Sequence, residues 1–209
     1  ALSQKIAELK PYQCPYDVVV NINGDPTSRM AFAWYTNDRM TDGQVQLTPI
    51  TDITTLAKAF DAATDVITVA ATPTATKKSR YAIGASGIPA ATGVAQSTKY
   101  KYTSHKAIAE NLTPNTTYAY RVGTDGYWSE VAYFTTAPKN EEDASEEFTF
   151  IYMTDSHILN QTYIDDVNQT ATAAVTNIPE AKFCVFAGDH VETGAQGNAE
   201  WEWERWFEE

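Results

Sequence analysis

Three residues in the last third of the chain have the types and spacing for chemistry: Asp155 and His157 in "FIYMTDSH" and Asp189 in "VFAGDH". Each pair of letters stands at the end of an apolar run. Aspartate and histidine together suit divalent ions of intermediate softness, such as zinc, manganese or iron. Two carboxylates held within a few ångströms repel each other unless a cation lies between them. Taken alone, Asp-x-His also fits a helix cap or a surface turn, and Gly-Asp after an apolar strand is equally unspecific. The signal lies in having both, on successive strands.

The flanking sequence supplies elements able to bring the three together. "EFTFIYMTDSH" and "AKFCVFAGDH" read as strands, and such continuous apolar runs suit strands covered on both faces. Between them, Ile164, Val167, Ala171, Ala174, Val175 and Ile178 recur at helical spacing. Thr162 with Asp165 three positions later reads as the N-terminal cap of that helix. Asp155 and Asp189 are 189 − 155 = 34 positions apart, which fits the ~30 residues of a βαβ unit. Both strands then end at one sheet edge, where ligands of open α/β sheets bind.

The organisation differs before "TTAPKNEEDASEEF", residues 135–148. "YDVVVNI", "RMAFAWYTN", "GQVQLTPI", "KYTSHKAIAENL", "TTYAYRVG" and "VAYFTT" are short alternating runs broken by turn residues. They predict antiparallel strands in a β-sandwich. Alternation sets Phe32 and Trp34 on the face opposite Ala33 and Tyr35. His105 is expected to be a strand residue with a structural hydrogen bond. Residues 51–98 fit the sandwich less well: "ITTLAKAFDAATDVITVA" predicts a short helix and a strand, and "TPTATKKSRYAIGASGIPAATG" a long loop. The basic "KKSR" at 77–80 is read as a solvated part of that loop, and the acidic "EEDASEE" as a linker.

The net charge of −12 disfavours nucleic acid and anionic membranes as partners. It would also repel a phosphorylated substrate unless a cation sits in the site. No run approaches the ~20 apolar residues of a membrane span. Hydrophobic residues at 43% and charged residues at 20% describe a globular chain. Cys14 and Cys184 are read as small buried side chains.

"ENLTPNTTYAYRVG" resembles the strand E to strand F corner of a fibronectin type III domain, in which a tyrosine, here Tyr118, bonds back to the backbone. The longer "YKYTSHKAIAENLTPNTTYAYRVG…WSEVAYFTTAP" resembles the N-terminal domain of purple acid phosphatases. Asp155-x-His157 with Gly188-Asp189 resembles the first two blocks of the calcineurin-like metallophosphoesterases. The resemblance implies a two-domain chain. An immunoglobulin/fibronectin type III-like sandwich at 11–138 and an acidic linker at 139–147 precede the first part of an α/β metallophosphoesterase domain at 148–209.

It further implies hydrolysis of a phosphomonoester or phosphodiester by a hydroxide bound to two divalent metal ions (zinc, manganese or iron) in a complete enzyme. By position, Asp155 and His157 would hold the first ion and Asp189 would bridge both. Gly188 would permit the turn that frees Asp189, Glu192 would support the site, and His190 would not be a ligand. The purple acid phosphatases place a tyrosine at the position of Glu192 and a glycine at that of His157, so a colourless site with other divalent ions is expected. Asn198 is expected to cap a final helix with Trp203, Trp206 and Phe207 on one face.

The family's later histidine blocks do not follow before Glu209. The chain is therefore expected to be the N-terminal portion of such an enzyme, inactive alone. It should bind at most one ion, weakly, and should expose a sheet edge and an apolar face for a missing portion or another copy to cover. A periplasmic or extracellular location follows by the same analogy. The alternative is a carbohydrate- or protein-binding sandwich module using exposed Trp34, Tyr35 and Trp128.

Overall fold

The computed structural model describes residues 14–37, 40–80, 98–139, 148–192, 202–203 and 206–207. Two compact units are distinguished, one made of the described residues that fall within 1–76 and 101–145 and the other of those within 77–100 and 146–209.

Among the described residues nine strands precede residue 136, all but residues 77–80 and 98–100 of them in the first unit: β1 (Tyr16–Ile22), β2 (Met30–Asn37), β3 (Gln44–Pro49), β4 (Ile67–Ala70), β5 (Thr72–Arg80), β6 (Thr98–Ala109), β7 (Thr117–Thr124), β8 (Tyr127–Trp128) and β9 (Ala132–Thr135). One sheet has the order β1-β2-β6-β5; the other runs β4-β3-β7-β8, with β9 also on β7. Alternation decides what each strand buries. Phe32 and Trp34 of β2 are 2% and 1% exposed, whereas Ala33 and Tyr35 are only partly covered. Their buried face shares one core with Val45, Leu47, Tyr118, Tyr120 and Val122 of the second sheet. The rings of Phe32 and Tyr120 meet at 5.3 Å. Two sheets with one interdigitated core make a β-sandwich.

The corner predicted around Tyr118 is present. Its hydroxyl accepts the backbone N–H of Thr113 at 3.0 Å, and the ring is 1% exposed. Thr136 ties the same corner, donating to the Thr113 carbonyl at 2.7 Å and accepting the Thr116 N–H at 3.0 Å. His105 is fully buried and stacks on Trp34 with ring centroids 5.2 Å apart. Its Nε2 lies 2.8 Å from the Thr36 hydroxyl, the structural hydrogen bond expected of it. Burial lowers its pKa below the ordinary histidine value, and a hydrogen bond with the Met40 backbone opposes the shift.

Residues 53–58 form a short 3-10 helix and β4 follows, as expected. Thr72–Arg80, by contrast, is an edge strand rather than a loop. Among the described residues it has one strand neighbour, and an edge strand does not require apolar alternation. Residues 81–93 of the predicted loop lie outside the described residues, as does the acidic run from 141 to 147.

The second unit contains β10 (Thr149–Met153), α1 (Gln161–Asn177) and β11 (Ala181–Phe186). β10 and β11 pair in parallel, with Ile151 opposite Cys184 and Met153 opposite Phe186. The helix between them makes this a βαβ arrangement. Its cap is Asn160, whose side chain accepts the Thr162 N–H at 2.9 Å; the expected Thr162–Asp165 cap is not formed. Ile164 is the buried anchor of the helix, and Val175, assigned to the same face, is 58% exposed.

Among the described residues the apolar face expected to be exposed is present, although the runs by themselves suit cover on both sides. Phe148 and Tyr152 are each 63% exposed, and Phe150 and Val185 are open as well. Phe148, Phe150 and Phe183 stack on one another there. Cys184 is exposed and Cys14 partly covered, and both are free thiols, so neither is the buried side chain anticipated.

Candidate metal centre

The ends of β10 and β11 continue side by side as two chain segments joined by backbone hydrogen bonds. Ala187 donates to Met153 at 2.9 Å, Asp155 to Gly188 at 3.1 Å, His157 to the Asp189 carbonyl at 2.9 Å and Ile158 to His190 at 3.1 Å. Ile158 and Val191 form a parallel bridge. The Ser156 hydroxyl donates to the His190 carbonyl at 2.8 Å. This ladder fixes the register of the two segments, and so fixes which side chains face each other.

Within it, Asp155, His157 and Asp189 all have left-handed backbone, with φ of 60°, 45° and 45°. Such conformations are uncommon outside glycine, though Asp and His are enriched among those that adopt them. They persist where the surroundings over-determine them, and they cluster at functional sites. Gly188, at φ 121°, makes the turn into Asp189, as its type predicted.

The three side chains converge, with one ligand atom from each lying within 4.8 Å of the others. His157 Nε2 is 3.5 Å from Asp155 Oδ1 and 3.8 Å from Asp189 Oδ2. On its other side, His157 Nδ1 is 2.7 Å from Glu192 Oε2. The hydrogen bond with Glu192 is the largest cause raising the imidazole pKa above its ordinary value. Partial desolvation opposes the rise, and the charges of Glu192 and Asp189 and the Asp155 carboxylate reinforce it.

A divalent cation fits this donor set. Ligand bonds of ~2.0–2.1 Å in tetrahedral geometry place neighbouring ligand atoms ~3.4 Å apart, close to the 3.5 Å separation of Nε2 and Oδ1. Three protein ligands and an open position are the pattern of catalytic rather than structural sites. The set suits one ion. No second cluster of this kind is found among the described residues. A cavity of about 250 Å³ lies beside Asp155, lined by Thr154, Tyr163, Asp166, Thr170 and Phe186 among others.

His190 is directed elsewhere. Its ring lies among Phe186, Trp203 and Trp206 with centroids 5.0, 5.2 and 4.8 Å away. The aromatic group assigned to the final helix is thus in place around it, and Glu202–Trp203 and Trp206–Phe207 are helical. Asn198, the expected cap, lies outside the described residues.

The sandwich offers less for the binding-module alternative. Trp34 is a core residue, and the Trp128 face is covered by the Arg121 guanidinium at 4.2 Å, which also lies 4.5 Å from the Phe60 ring. Two features escaped the sequence reading. The left-handed backbone of the three candidate ligands had no signal beyond their residue types. The dependence of His105 on Gly43 had none, because a Cβ at Gly43 would lie 2.5 Å from His105 Nδ1.

The model of the purple acid phosphatase N-terminal domain family matches residues 15–136. No curated protein sequence matches the chain. Among solved structures, a purple acid phosphatase isolated from yellow lupin (Lupinus luteus) seeds is similar with a TM-score of 0.61 at 10% identity. That likeness covers 95% of this chain and 33% of the lupin chain, so the 209 residues span about a third of its length. A computationally redesigned β-sandwich protein is similar at 16% identity, over 61% of this chain and 98% of that one, with a TM-score of 0.31.

Proposed function

From the premise that the chain belongs to the purple acid phosphatase N-terminal domain family, we propose that it is part of a metal-dependent phosphoester hydrolase. In this reading 11–138 is the sandwich, 139–147 the linker, and 148–209 the start of an α/β metallophosphoesterase domain that holds the metal. The observation that carries it is the convergence of Asp155, His157 and Asp189 at the ends of two parallel strands. A bound divalent ion would supply Lewis-acid stabilisation of the charge on phosphoryl oxygens.

The residues do the rest. Asp155 and Asp189 concentrate negative charge that attracts the ion, and His157 presents Nε2 between them. The ladder joining residues 153–158 to 187–192 holds the three in place before any ion arrives. Three ligands suit one ion of zinc, manganese or iron, whereas the two-ion mechanism needs two metals ~3.5–4 Å apart. Further ligands for a second ion would therefore come from outside this set, and these residues alone should hydrolyse no ester. The open Phe148–Phe150–Tyr152 face is the surface that such a remaining portion, or another copy, would cover. A periplasmic or extracellular location fits this reading.

The test is binding of inorganic phosphate by equilibrium dialysis, with and without saturating Mn²⁺. On a chain of net charge −12, phosphate should be retained only when the ion is present. Equal retention in both conditions, or none in either, would refute the proposal.

A further inference from the structure

Resting on the cation site proposed above, we infer that Glu192 is a positioning residue that dedicates His157 Nε2 to the metal. An imidazole has two nitrogens, and a metal needs one of them free of its proton. Which nitrogen is free follows from the hydrogen bond the other one makes. Here the two are sharply distinguished. Nδ1 has the Glu192 carboxylate at 2.7 Å, a distance for a strong charge-assisted bond. Among the described residues Nε2 has only the more distant Asp155 and Asp189 oxygens, at 3.5 and 3.8 Å, which are separations for groups sharing an ion rather than hydrogen bonds.

With Glu192 accepting the Nδ1 proton, the Nε2 lone pair points between the two carboxylates. The carboxylate is itself held in register. The Glu192 N–H reaches the Ile158 carbonyl at 3.4 Å, next to the Ile158–Val191 bridge. Glu192 thus approaches His157 from the segment that carries Asp189, and it couples the orientation of one ligand to the placement of another.

Removal of such a partner typically weakens metal affinity by about 10–100-fold. The experiment is calorimetric titration of Zn²⁺ into the wild-type protein, Glu192→Gln and Glu192→Ala. Each is paired with nitrogen NMR of the imidazoles in the Zn²⁺-loaded state. Glutamine keeps the size and a neutral acceptor but loses the charge, so affinity should fall in the order wild type, Gln, Ala, with Ala about 10–100-fold weaker. The loaded wild type should show His157 ligating through Nε2 with a protected Nδ1 proton, and that proton should exchange freely in Glu192→Ala.

A merely structural role would change melting temperature without this grading or this proton signature. Three affinities within a factor of two, or ligation through Nδ1 in the wild type, would overturn the inference while leaving the cation site standing. Absence of Zn²⁺ binding by the wild type would overturn both.

Discussion

Tyr118→Phe isolates a single bond in the sandwich. The substitution keeps the ring, which is 1% exposed and stacks on Phe134 at 5.8 Å. It removes only the hydroxyl that accepts the Thr113 N–H at 3.0 Å. A net intramolecular hydrogen bond contributes about 0.5–1.5 kcal/mol, and a buried orphan donor costs about 1–3 kcal/mol. Thr113 is exposed, so water can reach the freed N–H and the loss should stay near 1 kcal/mol.

For a unit of this size that is a fall of about 4 °C in Tm, read by near-UV circular dichroism on heating. Thr136→Val gives the internal scale. Its hydroxyl is buried and joins Thr113 to Thr116, so about 2 kcal/mol should be lost. Because both residues hold Thr113, the double variant should depart from additivity by at least ~0.5 kcal/mol. A Tyr118→Phe variant melting within 1 °C of wild type would show that the corner bond does not hold the strand-to-strand turn as reasoned.

Three further outcomes are expected. His105 is buried with a lowered pKa, so between its folded value and ~6.5 the unfolded chain binds more protons. Sandwich stability is then full above ~6.5 and falls as pH drops below it, by up to about 1.4 kcal/mol per pH unit; a Tm independent of pH from 7.5 to 5.5 would contradict this. Gly43→Ala sets a methyl 2.5 Å from His105 Nδ1 and 3.1 Å from the Trp34 ring, and should cost about 1–3 kcal/mol in urea unfolding. Phe150→Lys should lower the fluorescence of an apolar dye bound to the open face of β10 and β11, and unchanged fluorescence would place the dye elsewhere.

What could be read in the sequence came from short runs and from the spacing between them. Tyr118 announced its corner because the turn residues and the tyrosine lie within one short run. The meeting of Asp155, His157 and Asp189 was legible because both motifs end apolar runs about one βαβ unit apart. Features set by neighbours were not legible. Thr72–Arg80 looked like a loop because an edge strand does not need apolar alternation. The apolar runs of β10 and β11 by themselves suit cover on both faces, and the open face of Phe148, Phe150 and Tyr152 was expected only from the family resemblance, since hydrophobicity states a demand for cover without saying what meets it. The Asn160 cap was displaced by a more conspicuous Thr–Asp spacing. The target of Glu192 was invisible because a hydrogen bond spanning 35 positions depends on the strand register.

The most direct test of the cation site is anomalous diffraction from crystals of the protein soaked in Mn²⁺ or Zn²⁺. The account predicts one strong anomalous peak ~2.0–2.2 Å from His157 Nε2 and from oxygens of Asp155 and Asp189. A peak that avoids these three side chains, or no peak with the metal saturating, would contradict it.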